Sequence, residues 1–336
     1  MATVIDTHSH FWPAAILDSI RRGELPGMRA TEGEGEWTWL VHERGLRYPL
    51  TPSFHDLEAK LAWMDETGID ISFHSIPAPF FFYELPPGET LRISRLFNDG
   101  VAEDAARSGG RIRAIATVPL NDPELAAEEL RRAHGLGHVG AEVGTSLGAT
   151  MLDAPQFDPL LAAAAELSMP LLLHPLTSML GQGVPAGLDR FFLANMLGNP
   201  LETSTAAARL ILGGALDRHP DLVLHLAHGG GYLPYQLARL DHGYAVQPEV
   251  AEVAERSPRE YLDNFIVDTI LFEPRAIEFL ISIVGPERVV FGTDAPFSFA
   301  DLTPLGMTAA LGERTAAMML GGNAARAYSL EERGGG

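Results

Sequence analysis

Five residues that could bind a metal ion follow short apolar segments of the chain. They are His8, His10, His174, His228 and Asp294. Imidazole nitrogens and carboxylate oxygens are ligands of zinc, and also of iron, manganese and cobalt. A mononuclear ion held by three imidazoles and one carboxylate leaves a position for water, whose pKa it lowers towards about 7. The residue types therefore predict a metal site that activates water.

Each of these residues alone also has a purely structural interpretation. A His-x-His pair is a weak signal, and His174 could be a core histidine bound to the backbone. Asp294 could cap the helix that follows it. The metal hypothesis rests on coincidence, because all five residues fall near the ends of predicted strands.

Eight short apolar segments alternate with helix-like segments along the chain. They are TVIDTHSHF, DISFHSIP, RIRAIATVP, HVGAEVGTS, PLLLHP, LVLHLAH, FIVDTIL and VVFGTDAPF. Such runs are typical of parallel strands covered on both faces, and eight of them predict a (β/α)₈ TIM barrel. Active sites of these barrels lie at the carboxyl ends of the strands. Because residues two apart on a strand face the same side, His8 and His10 can both point into the barrel.

The chain is predicted to form one barrel domain over residues 1–330. Residues 14–55 form an insertion over the barrel mouth, and its segment EWTWLVHERGLRYPL predicts a β-hairpin that turns near Arg44 and Gly45. Residues 331–336 are expected to be a disordered tail. No GxGxxG motif opens a helix after the first strand, which argues against a dinucleotide site.

Composition excludes several classes of function. The chain has no cysteine, so disulfides and thiolate sites are excluded, and its single lysine, Lys60, lies in a predicted helix rather than on a strand. A formal charge of -20 argues against nucleic acid as a partner. No apolar run is long enough to span a membrane, and no signal peptide is visible, so we expect a cytoplasmic protein.

Several motifs make the chain resemble the decarboxylase branch of the amidohydrolase superfamily. They are DTHSHFWP, LLLHP, HLAHGGGYLPYQLARLDHGY, FGTDAPF and GGNAARAYSL. The resemblance implies one zinc ion bound by four residues, namely His8, His10, His174 and Asp294. It implies that His228 is the acid/base beside the metal-bound water, so that His228 and Asp294 are the expected catalytic residues. Mn²⁺, Fe²⁺ and Co²⁺ are alternatives to Zn²⁺.

The resemblance also implies two arginines that bind the substrate carboxylate. Arg47 is the expected residue from the insertion, with Arg44 as a rival. Arg239 is expected to reach the site from a neighbouring subunit, which implies a homodimer. The alternatives are an exposed hairpin residue for Arg47 and an ion pair with Asp241 for Arg239.

We therefore predict a carboxy-lyase, a metal-dependent non-oxidative decarboxylase of an aromatic or conjugated, muconate-like carboxylic acid. A hydrolase or hydratase of the same superfamily, acting on a lactone, amide or enol acid, is the alternative. A non-catalytic metal-dependent binder of a small acid is less favoured. Glu142 is either a partner of the metal ligands or part of the strand packing, and residues 176–195 are expected to line the substrate site.

Overall fold

The structure is a computed structural model that describes residues 3–32, 38–43, 45–176 and 185–330. Its strands, in chain order, are β1 Ile5–Asp6, β2 Met28–Glu32, β3 Thr38–His42, β4 Arg47–Pro49, β5 Ile71–His74, β6 Ile112–Thr117, β7 Gly140–Gly144, β8 Ser146–Leu147, β9 Thr150–Met151, β10 Leu171–His174, β11 Leu224–Leu226, β12 Phe265–Asp268 and β13 Val289–Val290.

The α-helices are α1 Ala14–Arg21, α2 Leu57–Thr67, α3 Pro87–Arg107, α4 Pro123–Gly135, α5 Asp158–Glu166, α6 Asn199–Leu212, α7 Ala215–Arg218, α8 Leu233–Val246, α9 Pro274–Val284, α10 Thr308–Leu311, α11 Glu313–Ala317 and α12 Asn323–Ala327. Aspartate side chains cap the N-termini of two of these helices. The carboxylates of Asp56 and Asp122 accept hydrogen bonds from the third residues of α2 and α4, at 3.1 and 3.2 Å.

Eight parallel strands form the central sheet, in the order β1, β5, β6, β7, β10, β11, β12, β13. The first and last strands meet beyond their ends, where Ser9 and Ala295 form a parallel bridge. The amide of Asp294 donates to the carbonyl of His8 at 2.8 Å, and that of His10 donates to Ala295 at 2.8 Å. The predicted (β/α)₈ barrel is confirmed, and its closure brings the two ends of the chain together.

The insertion between β1 and α2 differs from the predicted two-stranded hairpin. Strands β3 and β4 pair antiparallel, as expected, but β2 pairs with β3 on the other side and makes a three-stranded sheet. The sequence of β2, MRATE, has only two apolar residues, Met28 and Ala30, so its alternation is too short for periodicity to reveal a strand. Arg44 and the predicted tail, residues 331–336, lie outside the described residues.

Two large groups of buried side chains hold these layers together. Leucines, alanines and aromatic residues of α4, α5, α6 and the barrel strands form the main core. A second core packs the strands of the insertion against α1 and α3. It includes Trp12, Leu17, Met28, Leu40 and Phe97. The insertion is therefore packed onto the barrel. Among the residues that the structure describes, no helix combines the length and apolar character needed to cross a bilayer.

Candidate metal centre

The barrel strands bring the five predicted ligand-type residues together at their carboxyl ends. The imidazole ring of His8 lies 5.2 Å from that of His10 and 5.3 Å from that of His174, centroid to centroid. One donor atom from each of His8, His174, His228 and Asp294 lies within 4.8 Å of the others. The Nε2 atom of His10 lies 3.2 Å from the Asp294 carboxylate. The sequence analysis predicted that these five residues lie together, although they are far apart in the chain.

Three of these imidazoles are oriented by a hydrogen bond at Nδ1. His8 donates to the Asp268 carboxylate at 2.8 Å, and His10 and His174 donate to backbone carbonyls at 3.1 and 3.0 Å. Because those oxygens only accept, Nδ1 of each ring carries a proton, and Nε2 is the nitrogen that can offer a lone pair to a metal ion. An oxygen acceptor at the second ring nitrogen is the usual arrangement of a metal-ligating histidine.

The Nε2 atoms of these imidazoles are placed to bind a divalent cation. The Nε2 atom of His8 is fully buried and has no hydrogen-bond partner among the described residues. A buried polar atom without a partner, facing a carboxylate and two other imidazoles, is expected where an ion binds. The donor set of nitrogen and oxygen atoms without thiolate suits zinc or manganese.

The electrostatics of the cluster keep its carboxylate ionised. Burial by itself raises the pKa of Asp294, but the neighbouring imidazoles of His10, His228 and His8 hold that pKa well below its usual value. Burial is the largest single influence on the pKa of His8 and lowers it. The hydrogen bond to Asp268 and the charges of Asp268, Asp294 and Glu142 together outweigh burial and raise this pKa to about 9. A cation that binds Nε2 of His8 would displace this proton, so binding releases a proton.

His228 differs from the other three imidazoles. It opens the HGGG turn with a left-handed backbone, φ 56°, and its Nδ1 atom has no hydrogen-bond partner among the described residues. Its Nε2 atom lies 3.6 Å from the Asp294 carboxylate. The next residue must be glycine, because a Cβ on Gly229 would lie 2.4 Å from the side chain of Leu271. The turn thus places an untethered imidazole beside the ligand cluster.

The carboxylate of Asp268 contacts both the His8 ring and the backbone of the turn that carries His228. The sequence analysis did not identify Asp268 as a site residue. Its carboxylate accepts the Nδ1 proton of His8 and the backbone amides of His228 and Gly229, at 2.8, 3.0 and 2.8 Å. Burial raises the pKa of Asp268, but the hydrogen bond and charge of His8, with smaller effects of His228 and His225, hold it below its usual value. Its position could have revealed it, because it ends the apolar run FIVD as the ligands end theirs.

Glu142, whose role the sequence left open, lies close to the cluster. It is fully buried on β7, and one carboxylate oxygen lies 3.8 Å from Nδ1 of His10. Neither oxygen has a hydrogen-bond partner among the described residues, and burial raises the pKa of this carboxyl. Glu142 is thus a neighbour of the ligands and not a member of the converging set.

The two predicted substrate arginines occupy different places. Arg47 lines a cavity of about 490 Å³ together with His174, His228 and Asp294, and its guanidinium lies 4.6 Å from the centre of the Trp39 ring. Arg239 is exposed on α8 and is absent from the described lining of that cavity. Asp241, considered as its ion-pair partner, binds Arg259 at 3.1 Å.

Comparison with known proteins identifies the family. The amidohydrolase family profile matches residues 5–330. The chain belongs to the amidohydrolase family. Curated relatives are decarboxylases, so the predicted decarboxylase branch and carboxy-lyase class are confirmed at the level of the family.

Three relatives illustrate this family. The chain is 27% identical over 342 residues to 2-amino-3-carboxymuconate-6-semialdehyde decarboxylase of Dictyostelium discoideum, covering 97% of this chain and 92% of the relative. It is 36% identical over 259 residues to gamma-resorcylate decarboxylase of Rhodococcus jostii, covering 71% and 77%. A crystal structure of dihydroxybenzoic acid decarboxylase from Polaromonas, with bound manganese and the inhibitor 2-nitroresorcinol, superposes with a TM-score of 0.83 at 26% identity, covering 100% of both chains.

Proposed function

We propose that this protein is a metal-dependent, non-oxidative decarboxylase of an aromatic or conjugated carboxylic acid. One observation carries the proposal. Three imidazoles with tethered Nδ1 atoms turn their Nε2 atoms towards the Asp294 carboxylate, beside a cavity that Arg47 lines. The names of the relatives, all decarboxylases of unsaturated or aromatic acids, support the same reaction class.

The proposed ligands are His8, His10, His174 and Asp294, with one divalent ion per chain. His10 belongs to this set, rather than His228, because its Nδ1 atom is tethered as in the other two ligands. Zinc, expected from the sequence, and manganese, present in the Polaromonas relative, both suit these donors. When bound, the ion would polarise an oxygen of the substrate and stabilise developing negative charge.

His228 is proposed as the acid/base of the reaction. Its untethered ring lies close enough to the ligand cluster to deliver a proton to the carbon that carries the carboxylate. As the new carbon–hydrogen bond forms, the carbon–carboxylate bond breaks and its electron pair stays with the ring system. Carbon dioxide leaves, and neither an oxidant nor a reductant is consumed.

Arg47 is proposed to bind the acid, because the guanidinium fork pairs with carboxylate oxygens through two hydrogen bonds. Arg239, exposed on α8, is proposed to supply a second cation to the cavity of a partner subunit in a homodimer. In a chain of charge -20, such local cations are needed to gather an anionic substrate. Arg239→Ala should raise KM for an acid without changing metal content.

Elemental analysis combined with an assay of carbon dioxide tests the proposal. The purified protein should contain about one divalent ion per chain, and the His8→Ala/His10→Ala double variant should contain none. The loaded enzyme should release carbon dioxide from gamma-resorcylate or a related acid without consuming water. If neither protein contains metal, either as purified or after soaking in a divalent metal salt, the proposal is wrong. Incorporation of water into the product, without release of carbon dioxide, would support the hydrolase or hydratase alternative.

A further inference from the structure

The cavity at the metal centre has two lobes that meet at the reacting groups. The arginine lobe, about 490 Å³, is bounded by the insertion through Arg47 and Tyr48. The apolar lobe, about 370 Å³, lies on the other side. The residues that line only the apolar lobe include Met196, Pro200, Tyr232, Ile270, Leu271 and Phe272. His228 and Asp294 line both lobes, so a molecule held at these groups can extend into either one.

The two lobes differ in chemistry. The described lining of the apolar lobe has no charged side chain apart from His228 and Asp294 at the junction, whereas the other lobe contains Arg47. The polar side chains of this lining that are not at the junction, Asn195, Asn199 and Tyr232, are neutral. Burying a carboxylate there would be unfavourable, since no cation would compensate for the loss of its water. An alkyl or aryl group would gain, because each methylene removed from water favours binding.

One wall of the apolar lobe is fixed by a buried carboxylate. Asp301 accepts hydrogen bonds from the backbone amides of Leu271 and Phe272, at 3.1 and 2.7 Å. The amide of Asp301 donates in turn to the carbonyl of Thr293 at 2.8 Å. Thr293 precedes the proposed ligand Asp294, so this wall and the metal centre are fixed to the same backbone segment.

A second wall is fixed by close packing of the HGGG turn on α6. A Cβ on Gly231 would lie 2.0 Å from the carbonyl oxygen of Pro200, so only glycine permits this contact. The amide of Tyr232 donates to Ser204 Oγ at 2.5 Å. Both walls are therefore held by contacts within the protein, and little ordering remains for a ligand to impose.

We propose that the apolar lobe binds an apolar substituent of the substrate, so that the preferred acid is an aromatic carboxylic acid with an alkyl or aryl group. This inference rests on the proposed function. Its occupant is the substrate itself because the lobe is continuous with the reacting groups His228 and Asp294. A cavity of this size accommodates several carbon atoms beyond a single ring, as expected for a ligand-binding pocket.

A chain-length series tests the inference. The probes are 2,6-dihydroxybenzoate and its derivatives with methyl, propyl and pentyl groups at ring position 3 or 4. The value of kcat/KM for carbon dioxide release should rise by up to roughly fourfold per methylene in at least one of the two position series. Equal values along both series, with the parent acid decarboxylated, would overturn the inference and leave the proposed function intact.

Two tryptophan variants locate the effect. Met196 lines the apolar lobe, whereas the adjacent Leu197, 45% exposed, does not. Met196→Trp should abolish the preference for the pentyl over the unsubstituted acid, and Leu197→Trp should leave that preference as in the wild type. Dissociation of an oligomer by both variants, without a change in chain-length preference, would show that a second copy covers the lobe and would overturn the inference.

A binding measurement separates this inference from the proposed reaction. Isothermal calorimetry with 2-nitroresorcinol and its pentyl derivatives on the metal-loaded protein requires no turnover. Tighter binding of a pentyl derivative, lost in Met196→Trp, would support the apolar lobe even if no acid in the series released carbon dioxide. Equal affinities for the parent compound and its pentyl derivatives would overturn the inference, whatever the activity.

Discussion

Two groups of buried histidines lie on strands of the same barrel, or just after them, and differ in the surroundings of their ring nitrogens. His8, His10 and His174 each donate Nδ1 to an oxygen, and their rings converge. His74 and His225 are just as buried. His74 stacks on Phe11 at 4.2 Å, with neither ring nitrogen hydrogen-bonded among the described residues, and His225 bonds the Tyr328 hydroxyl at 2.8 Å.

This comparison shows that burial on a barrel strand does not make a histidine a ligand. What separates the groups is an oxygen acceptor at one nitrogen together with convergence of the other nitrogen on further donors. In the second group burial instead keeps the ring neutral, and it lowers the pKa of His225 to about 3. The same residue type thus lies in the proposed ion site on some barrel strands and in purely packed surroundings on others.

The largest expected effect is loss of the ion on removal of a ligand. His8→Ala should reduce metal content from about one ion per chain to almost none and reduce kcat/KM by roughly three orders of magnitude or more. Elemental analysis and carbon dioxide release measure the two effects. The matched control is His225→Leu with Tyr328→Phe, which removes an equally buried histidine and should retain the ion. If His8→Ala kept its ion, the distinction between the groups would fail.

Substitution of His228 should separate catalysis from metal binding. His228→Gln is expected to keep the ion, because this ring lacks the tethered Nδ1 of the ligands, and to lower kcat by roughly 10²- to 10⁴-fold. The ratio of metal content to activity is the measurement. A variant as depleted of metal as His8→Ala would place His228 in the ligand set.

A smaller effect is expected from the carboxylate that orients His8. Asp268→Asn should weaken metal binding by about 10- to 100-fold, because Nδ1 of His8 loses a charged acceptor. Competition with a chelator measures the affinity. Asp153→Asn, which changes a carboxylate paired with Arg209 away from the site, is the control and should bind the ion as the wild type does. Equal affinities of the two variants would show that the tether does not matter.

The smallest effect concerns stability and the packing histidines. The folded-state pKa of His225, about 3, lies below the ordinary value of 6.5, so the unfolded chain binds a proton more readily. This histidine therefore makes stability fall as pH decreases from about 6.5 towards 3, by about 2 kcal/mol between pH 7 and pH 5. Denaturant unfolding of His225→Leu/Tyr328→Phe should show a shallower decline over this interval. An unchanged slope would mean that His225 is not neutral in the folded protein.

The sequence allowed the barrel and its cluster of ligand-type residues to be predicted for a physical reason. Parallel strands buried on both faces are continuous apolar runs, and a polar residue that ends such a run lies at the mouth of the barrel. The same rule applied to Asp268, but a single aspartate at the end of FIVD carries little signal without knowledge of its partner. Strand β2 escaped detection because its side chains are largely solvent-accessible and its pairing with β3 is decided by tertiary contact.

The orientation of the imidazoles was beyond sequence reasoning. Tethering of Nδ1 in His10 and His174 depends on carbonyl groups whose direction is set by the folded backbone. The apolar lobe was hidden for a similar reason. Its walls come from segments on either side of the HGGG turn, and only their packing creates the cavity.

The junction of the first and last barrel strands constrains when the protein can acquire its ion. His10 and Asp294, 3.2 Å apart in space, are separated by 284 positions along the chain. A ribosome that has released the first seven barrel strands has released every proposed imidazole ligand but not the carboxylate that completes the set. Long-range closure of this kind is slow compared with local folding. The proposed ligand set is therefore complete only at the end of synthesis, and we expect a chain that stops before β13 to bind the ion more weakly than the whole chain.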